Sequence, residues 1–428
     1  MTIWRLKTGA DRRVRSGHPW VFSNELSASP KGHSPGAPVE LVDAKGAFVA
    51  RGYGNPHSLI AFRALSFAAQ IDNPLSHDEL HKKILKSWQL RRDLGFLGSF
   101  RLCFGESDFI PGLVIDYYRL EQAQVFVAQI LTAGMSVALV DLEGFFQGLA
   151  AKAKEQKLSQ FDWDKTAVVI RNDVNIRKLE GMTIDKPLTL KSIAGVDLSK
   201  ADIVLNKQDQ GTLLMRCDLA EGQKTGFFLD QTQNIYQAVH LFKNWAQHQP
   251  KRKIKVLDLC CYVGHWSTQI AAALTELGME VETHLVDVSK PALAFAKFNA
   301  ERAGAQAEVH ELDVLEKLGG LPGQQFDIVI ADPPAFIKAK KDIPTGKHAY
   351  LKMNTQAFRL VKQGGFVVSC SCSGLLNEED LREAVRKSAV RNFLEVRNVT
   401  RGGHAADHPT LMAFPEGFYL KMFTHYVL

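Results

Sequence analysis

The sequence lacks the marks of several protein classes. Its six cysteines are Cys103, Cys217, Cys260, Cys261, Cys370 and Cys372, with no Cys-x-x-Cys pair among 428 residues. This spacing argues against a disulfide framework or a structural zinc site, and we expect no bound metal. No apolar run is long enough to cross a bilayer, and charge appears too early at the N-terminus for a typical signal peptide. We therefore expect a cytoplasmic protein with no membrane partner.

Acidic residues are scarce near the N-terminus. Residues 1–63 contain four of them (Asp11, Glu25, Glu40 and Asp43) and nine basic residues, which gives +5 of the chain's net charge of +6. The basic residues are Arg5, Lys7, Arg12, Arg13, Arg15, Lys31, Lys45, Arg51 and Arg63. A basic segment attached to a nearly neutral remainder predicts an anionic macromolecular partner such as RNA.

The length of the chain exceeds what one hydrophobic core usually serves, so we expect more than one domain. In residues 1–72, short β-like runs at 38–42 and 48–51 alternate with glycine- and proline-rich turns, which predicts a small β-barrel. Residues 191–428 alternate strands and helices from about Gly222 onward, which predicts a doubly wound α/β domain.

The middle of the chain, residues 73–190, combines both kinds of pattern. Apolar residues recur at helical spacing over 73–94, and strand-like runs at 123–131 and 166–171 flank a helical stretch around 137–154. This order predicts a central α+β domain.

Four predicted strands of the C-terminal domain are each followed by an acidic residue. The first strand ends at Asp258, before a small-residue turn that contains Cys260, Val263 and Gly264. The other acids are Asp287, two residues before Ser289; Asp313, followed by Val314; and Asp332, followed by Pro333, Pro334, Ala335 and Phe336. Because the carboxyl ends of parallel strands share one edge of a sheet, the acids are expected to converge.

No Gly-x-Gly-x-x-Gly follows the first strand, which disfavours a nicotinamide dinucleotide. S-adenosylmethionine (SAM) has no phosphate to cradle, and Asp258 could face its sulfonium or amino group. The predicted cofactor is therefore SAM, with Asp258 at the methionine end, Asp287 at the ribose and Asp313 at the adenine. Each acid taken alone could instead be a helix cap or a loop residue. Their order, ending in Asp-Pro-Pro, favours cofactor binding.

Two reactions are compatible with the residues that follow. Asp332-Pro333-Pro334 with Phe336 is typical of transfer to an exocyclic amine, adenine N6 or guanine N2. Cys370 and Cys372 end the next strand, however, and cytosine C5 accepts a methyl group only after a thiolate attacks C6. Asp332 would then meet the base at N3. Two residues apart, both thiols share a face if the strand continues through them, so either could be the nucleophile. A small buried apolar role is the alternative for each cysteine.

Ordered motifs cover almost the whole chain. They are Gly17–Phe22, Arg51–Pro56, Gly105–Asp108, Pro111–Asp116, Thr225–Gln231, Asp332–Phe336, Ser371–Gly374, Asp407–Pro409 and Pro415–Lys421. With them, the chain resembles the ribosomal RNA large subunit methyltransferase I family, bacterial 23S rRNA cytosine-C5 methyltransferases. The resemblance implies a PUA-like RNA-binding domain at the N-terminus, Cys372 as the nucleophile, 23S rRNA as the partner, and a SAM pocket lined by the Thr225–Gln231 segment. It adds Phe228, Asp230, Gln231 and Asn234 to the candidate cofactor-binding residues.

Several alternatives stay open at this point. Cys370 is not required by the family pattern and competes with Cys372. The lysines at 338, 340, 341 and 347 could hold RNA phosphates or form a polar loop. A non-catalytic RNA-binding or ribosome-assembly factor is a further alternative, and the oligomeric state, a homodimer included, is left undecided.

Overall fold

The computed structural model describes residues 1–207, 211–316, 318 and 325–428. These residues divide into two compact units, which are described separately. Unit 1 contains Met1–Val204, Asp218–Phe227 and Ala406–Gly417; unit 2 contains Leu205–Cys217, Phe228–Ala405 and Phe418–Leu428. Within these described ranges, no helix has the length and apolar character needed to span a membrane.

The first sheet of unit 1 has five strands in the order β1-β3-β4-β5-β2. Their bounds are β1 Thr2–Arg5, β2 Trp20–Phe22, β3 Pro38–Val42, β4 Phe48–Gly54 and β5 Ile60–Ser66, with helix α1 at Asp11–Arg15. β1 pairs parallel to β3, and the other pairs are antiparallel. The side chains of Trp4, Leu41 and Phe62 lie in its core. The two strands predicted here are confirmed, and the second extends three residues beyond the predicted end.

The second sheet of unit 1 has the order β10-β9-β8-β7-β6 and packs against helices, as expected for an α+β region. The strand bounds are β6 Phe100–Phe104, β7 Leu113–Arg119, β8 Gln124–Ile130, β9 Thr166–Ile170 and β10 Leu188–Lys191. The helix bounds are α2 His77–Asp93, α3 Ala133–Ala138, α4 Leu142–Glu155 and α5 Ile176–Leu179.

The helical stretch predicted around 137–154 is confirmed as α4, although this helix begins later than predicted. α3 ends at Ala138, and α4 begins after Asp141, whose side-chain carboxylate accepts a hydrogen bond from the Gly144 amide at 2.9 Å. A carboxylate at this position satisfies an amide that the first helical turn leaves without a partner, so a new helix begins here.

Unit 2 contains a seven-stranded sheet in the order β15-β14-β13-β16-β17-β19-β18. Its strands are β13 Lys253–Leu259, β14 Glu280–Asp287, β15 Gln306–Glu311, β16 Phe326–Ala331, β17 Val361–Ser371, β18 Val396–Gly402 and β19 Lys421–Val427. The helices are α6 Thr232–Gln247, α7 His265–Thr275, α8 Lys290–Arg302, α9 Ile343–Leu360 and α10 Glu378–Arg391. Two further strands, β11 Ala201–Asn206 and β12 Thr212–Cys217, form a two-stranded sheet.

Five neighbouring strands of this sheet run parallel to one another, in the spatial order β15-β14-β13-β16-β17. β19 is antiparallel to both of its neighbours, β17 and β18. The chain places β14 on one side of β13 and β16 on the other. The strand order therefore reverses next to β13, and in open α/β sheets this switch point opens a ligand crevice at the carboxyl ends of the strands. The predicted doubly wound fold is confirmed.

Candidate active site

The turn after β13 has an unusual backbone. Cys260, Tyr262 and Gly264 have φ angles of 62°, 49° and 78°, all in the left-handed region. At a non-glycine residue this conformation costs about 1–3 kcal/mol, and such strain tends to occur at functional sites. A Cβ atom on Gly264 would lie 3.1 Å from the Cα atom of Ala296 in α8, so glycine is needed here for close packing as well. The turn thus brings bare backbone to the carboxyl edge of the sheet.

Asp258 is a buried carboxyl group with an incomplete set of hydrogen bonds. One oxygen, Oδ2, accepts from the Ser267 amide at 3.2 Å, whereas Oδ1 has no hydrogen-bond partner among the described residues. Burial raises the pKa of Asp258 to about 7. An acid in this environment is stabilised by a cation or donor brought by a ligand. The amino and sulfonium groups of SAM are cationic, so Asp258 suits the methionine end of that cofactor.

Asp287 lies at the end of β14 and orders both the turn and the next helix. Its Oδ2 atom accepts from the Tyr262 amide and its Oδ1 atom from the Ser289 amide, each at 2.9 Å. Ser289 is the N-cap of α8, and its Oγ atom accepts from the Ala292 amide at 3.4 Å. Each carboxylate oxygen can accept two hydrogen bonds, so Asp287 retains acceptor sites that suit ribose hydroxyls.

The sequence prediction for the third strand was wrong by two residues. β15 ends at Glu311, so Asp313 and Val314 lie in the following loop. Asp313 is exposed, and its Oδ1 atom accepts from the Leu315 amide at 2.7 Å, an arrangement that stabilises a turn. The Val314 side chain is buried in the hydrophobic core beside Leu257. Of this pair, Asp313 is therefore the residue whose side chain can meet a ligand.

The four acids are near enough to affect one thiol. Burial, together with the negative charges of four carboxylates, raises the pKa of Cys260 well above its ordinary value. In order of effect, these carboxylates are Asp287, Asp332, Asp258 and Asp313. The structure thus brings to one region the acids that lie at or shortly after the ends of four different strands, as the strand-end pattern predicted. A thiol in this environment is not a nucleophile, because it is held in the neutral form.

Asp332 is held in place by two side-chain donors. Gln231 Nε2 lies 2.8 Å from each carboxylate oxygen, and Trp266 Nε1 donates to Oδ2 at 3.0 Å. Asn234 Nδ2 in turn donates to Gln231 Oε1 at 2.7 Å. The sequence analysis did not single out Trp266, although this residue comes two positions after Gly264, at the start of α7. Together, these bonds fix the orientation of the Asp332 carboxylate.

The other candidates in the Thr225–Gln231 segment have different contacts. The ring of Phe228 meets the ring of Tyr262 edge to face, with a centroid separation of 5.1 Å. Asp230 is buried, and its Oδ2 atom accepts from the Tyr419 hydroxyl at 2.6 Å. Phe228 therefore lies at the strained turn. Asp230 is bonded to a residue of the Pro415–Lys421 motif.

The two candidate nucleophiles differ in their surroundings. β17 ends at Ser371, so Cys370 lies within the strand and Cys372 lies beyond its end. Cys370 is 1% exposed, and burial followed by the charge of Asp332 raises its pKa well above the ordinary value. Cys372 is only partly buried, and its Sγ atom lies 3.8 Å from the carbonyl oxygen of Pro333 in the Asp-Pro-Pro loop. β17 does not continue through both thiols, so the condition under which they would share a face is not met.

Hydroxyl groups fix the chain around Cys372. Tyr350 of α9 lies 2.9 Å from Ser373 Oγ and accepts from Ser371 Oγ at 2.8 Å. The Ile337 amide also donates to Ser373 Oγ, at 3.1 Å. The residues on both sides of Cys372 are therefore bonded to α9 and to the loop that carries Asp332.

Among the residues that the structure describes, one group of side chains capable of binding a metal lies on β14 and β15. His284, Glu308 and His310 have donor atoms within 4.8 Å of one another. His284 Nδ1 lies 3.1 Å from His310 Nε2, and His284 Nε2 lies 2.8 Å from Glu282. Lys253 and Lys255 also pair with Glu282, each at 3.1 Å. These hydrogen bonds and ion pairs explain the group without a metal ion.

Comparisons with known proteins agree with this architecture. Residues 5–67 match a PUA-like domain and residues 250–407 match a methyltransferase domain. A solved structure described as a SAM-dependent methyltransferase from Streptococcus mutans is similar over 100% of both chains, with a TM-score of 0.72 and 15% identity. A methyltransferase complexed with SAH gives a TM-score of 0.73 at 16% identity, again over 100% of both chains. The fold and the matched domain define the class: this is a SAM-dependent methyltransferase, with SAM as its cofactor.

Relatives of similar length narrow the class to a family. The chain is 33% identical to "Ribosomal RNA large subunit methyltransferase I" of Photobacterium profundum, covering 99% of this chain and 98% of the relative. A protein of the same name from Vibrio cholerae is 30% identical, with coverage of 99% and 98%. The chain therefore belongs to the ribosomal RNA large subunit methyltransferase I family.

Proposed function

We propose that this protein methylates C5 of a cytidine in large-subunit ribosomal RNA, with Cys372 as the nucleophile. The observation that carries the proposal is the partly buried thiol of Cys372, 3.8 Å from the carbonyl of Pro333 and therefore beside the loop of Asp332. The names of the relatives supply the RNA class. A cytosine-C5 reaction needs a thiol next to an acid, and this is the pair found after β16 and β17.

In this proposal, the cofactor is bound by residues at the strand ends, and the contacts of Asp258 and Asp287 support this assignment. Asp258 faces the amino or sulfonium group, Asp287 the ribose and Asp313 the adenine. Cys260, Val263, Gly264, Ser289 and Val314 provide the surrounding backbone, and the set of cofactor-binding residues is completed by Phe228, Asp230, Gln231, Asn234 and Asp332. Bound SAM supplies an electrophilic methyl group.

The protein's own residues carry out the remaining chemistry. The Cys372 thiolate adds to C6, and the electron pair of the C5–C6 bond becomes available at C5. Asp332, oriented by Gln231 and Trp266, holds a proton at N3 and offsets the charge that develops on the ring. After C5 is methylated, its proton leaves to solvent. The C5–C6 double bond then re-forms as the bond between C6 and sulfur breaks.

The domain assignments complete the proposal. Residues 1–72 bind RNA, residues 73–190 form a connecting α+β domain, and residues 191–428 carry out the reaction. The reaction takes place in the cytoplasm, where ribosomal RNA is modified. Exposed Lys338, Lys340 and Lys341, which follow the Asp-Pro-Pro loop, contact RNA phosphates.

A methyl-transfer assay tests the proposal. Ribosomal RNA from cells that lack this protein is incubated with labelled SAM, and the labelled nucleosides are identified for the native chain, Cys372→Ala and Cys370→Ala. We expect label in 5-methylcytidine, abolished by Cys372→Ala and largely retained with Cys370→Ala. Label in a methylated purine that survives both substitutions would favour the exocyclic-amine reaction instead. No label at all with bound SAM would favour a non-catalytic RNA-binding role.

A further inference from the structure

We propose that the buried ammonium group of Lys421 stabilises the thiolate form of Cys372 and so makes this cysteine reactive near neutral pH. Lys421 acts through Cys372 and is thus a positioning residue. The inference rests on the proposed function, because it assigns a role to Lys421 in preparing the proposed nucleophile.

The fold holds Lys421 next to the end of the strand that directly precedes Cys372. Lys421 is the first residue of β19 and pairs with Ser371, the last residue of β17. Its Nζ atom donates to the carbonyl of Ser373 at 2.7 Å and to that of Tyr419 at 2.8 Å. The ammonium group is therefore bonded to the residue that directly follows Cys372.

This ammonium group is poorly compensated. Lys421 is 4% exposed, and its two acceptors are neutral carbonyls. No carboxylate lies within ion-pair distance of Nζ among the described residues, whereas a buried cation ordinarily needs an anionic partner. Burial lowers the pKa of Lys421 to about 8, and the charge of the Cys372 thiolate acts in the opposite direction. The interaction is reciprocal, so the lysine cation favours the thiolate by the same Coulomb energy.

Three other described residues interact electrostatically with Lys421 or Cys372, and each is negative or neutral in its ordinary form. Glu378 also raises the pKa of Lys421, but its carboxylate pairs with Arg401 at 3.2 Å. Tyr350 and Cys370 both interact with a negative charge on Cys372, and each is neutral in its ordinary form. Asp332, in the loop beside Cys372, is acidic and disfavours a thiolate. Lys421 is thus the cation of this set, and its charge opposes that of Asp332.

The test measures the thiolate directly, without depending on methyl transfer. The full chain is alkylated with iodoacetamide at a series of pH values, and the rate at Cys372 is followed by mass spectrometry of its peptide. For Lys421→Met we expect the rate at pH 7 to fall about tenfold, because a close opposite charge favours a thiolate by at least that factor. The inflection of the rate should move to higher pH. Lys421→Arg keeps the charge and should recover most of the rate.

Lys83→Met is the matched control. Lys83 is likewise a mostly buried lysine whose Nζ atom donates to two carbonyls, those of Leu65 and Phe109, and burial lowers its pKa to about 8. This substitution should cost similar stability in a thermal melt and leave alkylation of Cys372 unchanged. Methyl transfer by Lys421→Met should show a reduced kcat that recovers at higher pH, with little change in KM for SAM.

Two contrary outcomes are distinguishable. Unchanged alkylation of Cys372 in a folded Lys421→Met variant would overturn the role of Lys421, while the nucleophile assignment would stand. Continued methyl transfer by Cys372→Ala would overturn the proposed function instead. The alkylation profile would then still show whether the lysine and the thiol are coupled.

Discussion

At the scale of the residue, the burial of the Asp258 carboxyl group is not explained by folding alone, because its Oδ1 atom has no hydrogen-bond partner among the described residues. Burial raises the pKa of Asp258 from its ordinary value of 3.8 to about 7, so between these pH values the folded chain holds a proton that the unfolded chain releases. Folding stability therefore falls as the pH rises between these values, and the full penalty is present above pH 7. A carboxyl group that weakens the free protein is expected to have a binding role, here towards the cationic part of SAM.

We predict that Asp258→Asn stabilises the cofactor-free protein at pH 8, by about 2–4 kcal/mol in the free energy of unfolding. SAM should bind the native chain more tightly at pH 8 than at pH 6, because the carboxylate is then charged, and Asp258→Asn should bind weakly at both. Urea unfolding and calorimetry measure these quantities.

Asp327→Asn is a suitable control for this substitution. Asp327 is also buried, but its carboxylate pairs with Arg252 at 2.7 Å and Lys362 at 3.3 Å. Its replacement should lower stability by about 1–3 kcal/mol, since charged partners lose their acceptor. If Asp258→Asn proved destabilising as well, the assignment of Asp258 as an uncompensated acid would be wrong.

At the scale of the element, local patterns predicted the parts of the fold that local chemistry determines. β3 has the predicted bounds because apolar residues alternate between glycine- and proline-rich turns. As expected, acids lie at these strand ends: Asp258 is the second-last residue of β13, Asp287 is the last residue of β14, and Asp332 directly follows β16. The strand pattern was less informative at β15, where the burial of side chains is low and the edge strand ends earlier than predicted.

Contacts between elements distant in sequence could not be read from local patterns. Trp266 and Asp332 are 66 residues apart, and Lys421 and Ser373 are 48 apart. Only the strand order, with β16 beside β13 and β19 beside β17, brings them together. The site acids were thus predictable as a set, whereas the groups that orient Asp332 and accompany Cys372 were not.

At the scale of the whole molecule, the positive charge of residues 1–63 is less available than the sequence indicated. Arg13, Arg15, Arg51 and Arg63 each pair with a carboxylate. The remaining five are exposed and have no carboxylate partner in the described parts of the chain: Arg5, Lys7, Arg12, Lys31 and Lys45. These five are the candidates for contacts with RNA phosphates.

We predict that combining Lys7→Ala, Arg12→Ala and Lys31→Ala weakens RNA binding about tenfold or more at 0.1 M salt and reduces its salt dependence. Each contact with a phosphate displaces a counterion from the RNA. With fewer contacts, the logarithm of the binding constant therefore falls less steeply with the logarithm of the salt concentration. Fluorescence anisotropy with an rRNA fragment at several salt concentrations measures both quantities.

The control for this triple variant changes the net charge equally. Lys157, Lys186 and Lys200 are exposed lysines outside residues 1–72. Their combined replacement by alanine should leave affinity and slope nearly unchanged. An equal loss of RNA affinity in both triple variants would indicate that RNA binding depends only on the net charge of the protein and not on these particular residues.

The most direct measurement of the central claim is to trap the adduct between Cys372 and cytosine. In RNA that contains 5-fluorocytidine, C5 carries fluorine in place of the proton that must leave, so the bond between sulfur and C6 cannot be released after methyl transfer. We predict a protein–RNA complex that survives denaturing electrophoresis, requires SAM, forms with Cys370→Ala and is absent with Cys372→Ala. Absence of this complex with the native chain, under conditions in which it methylates the corresponding cytidine RNA, would contradict the covalent mechanism.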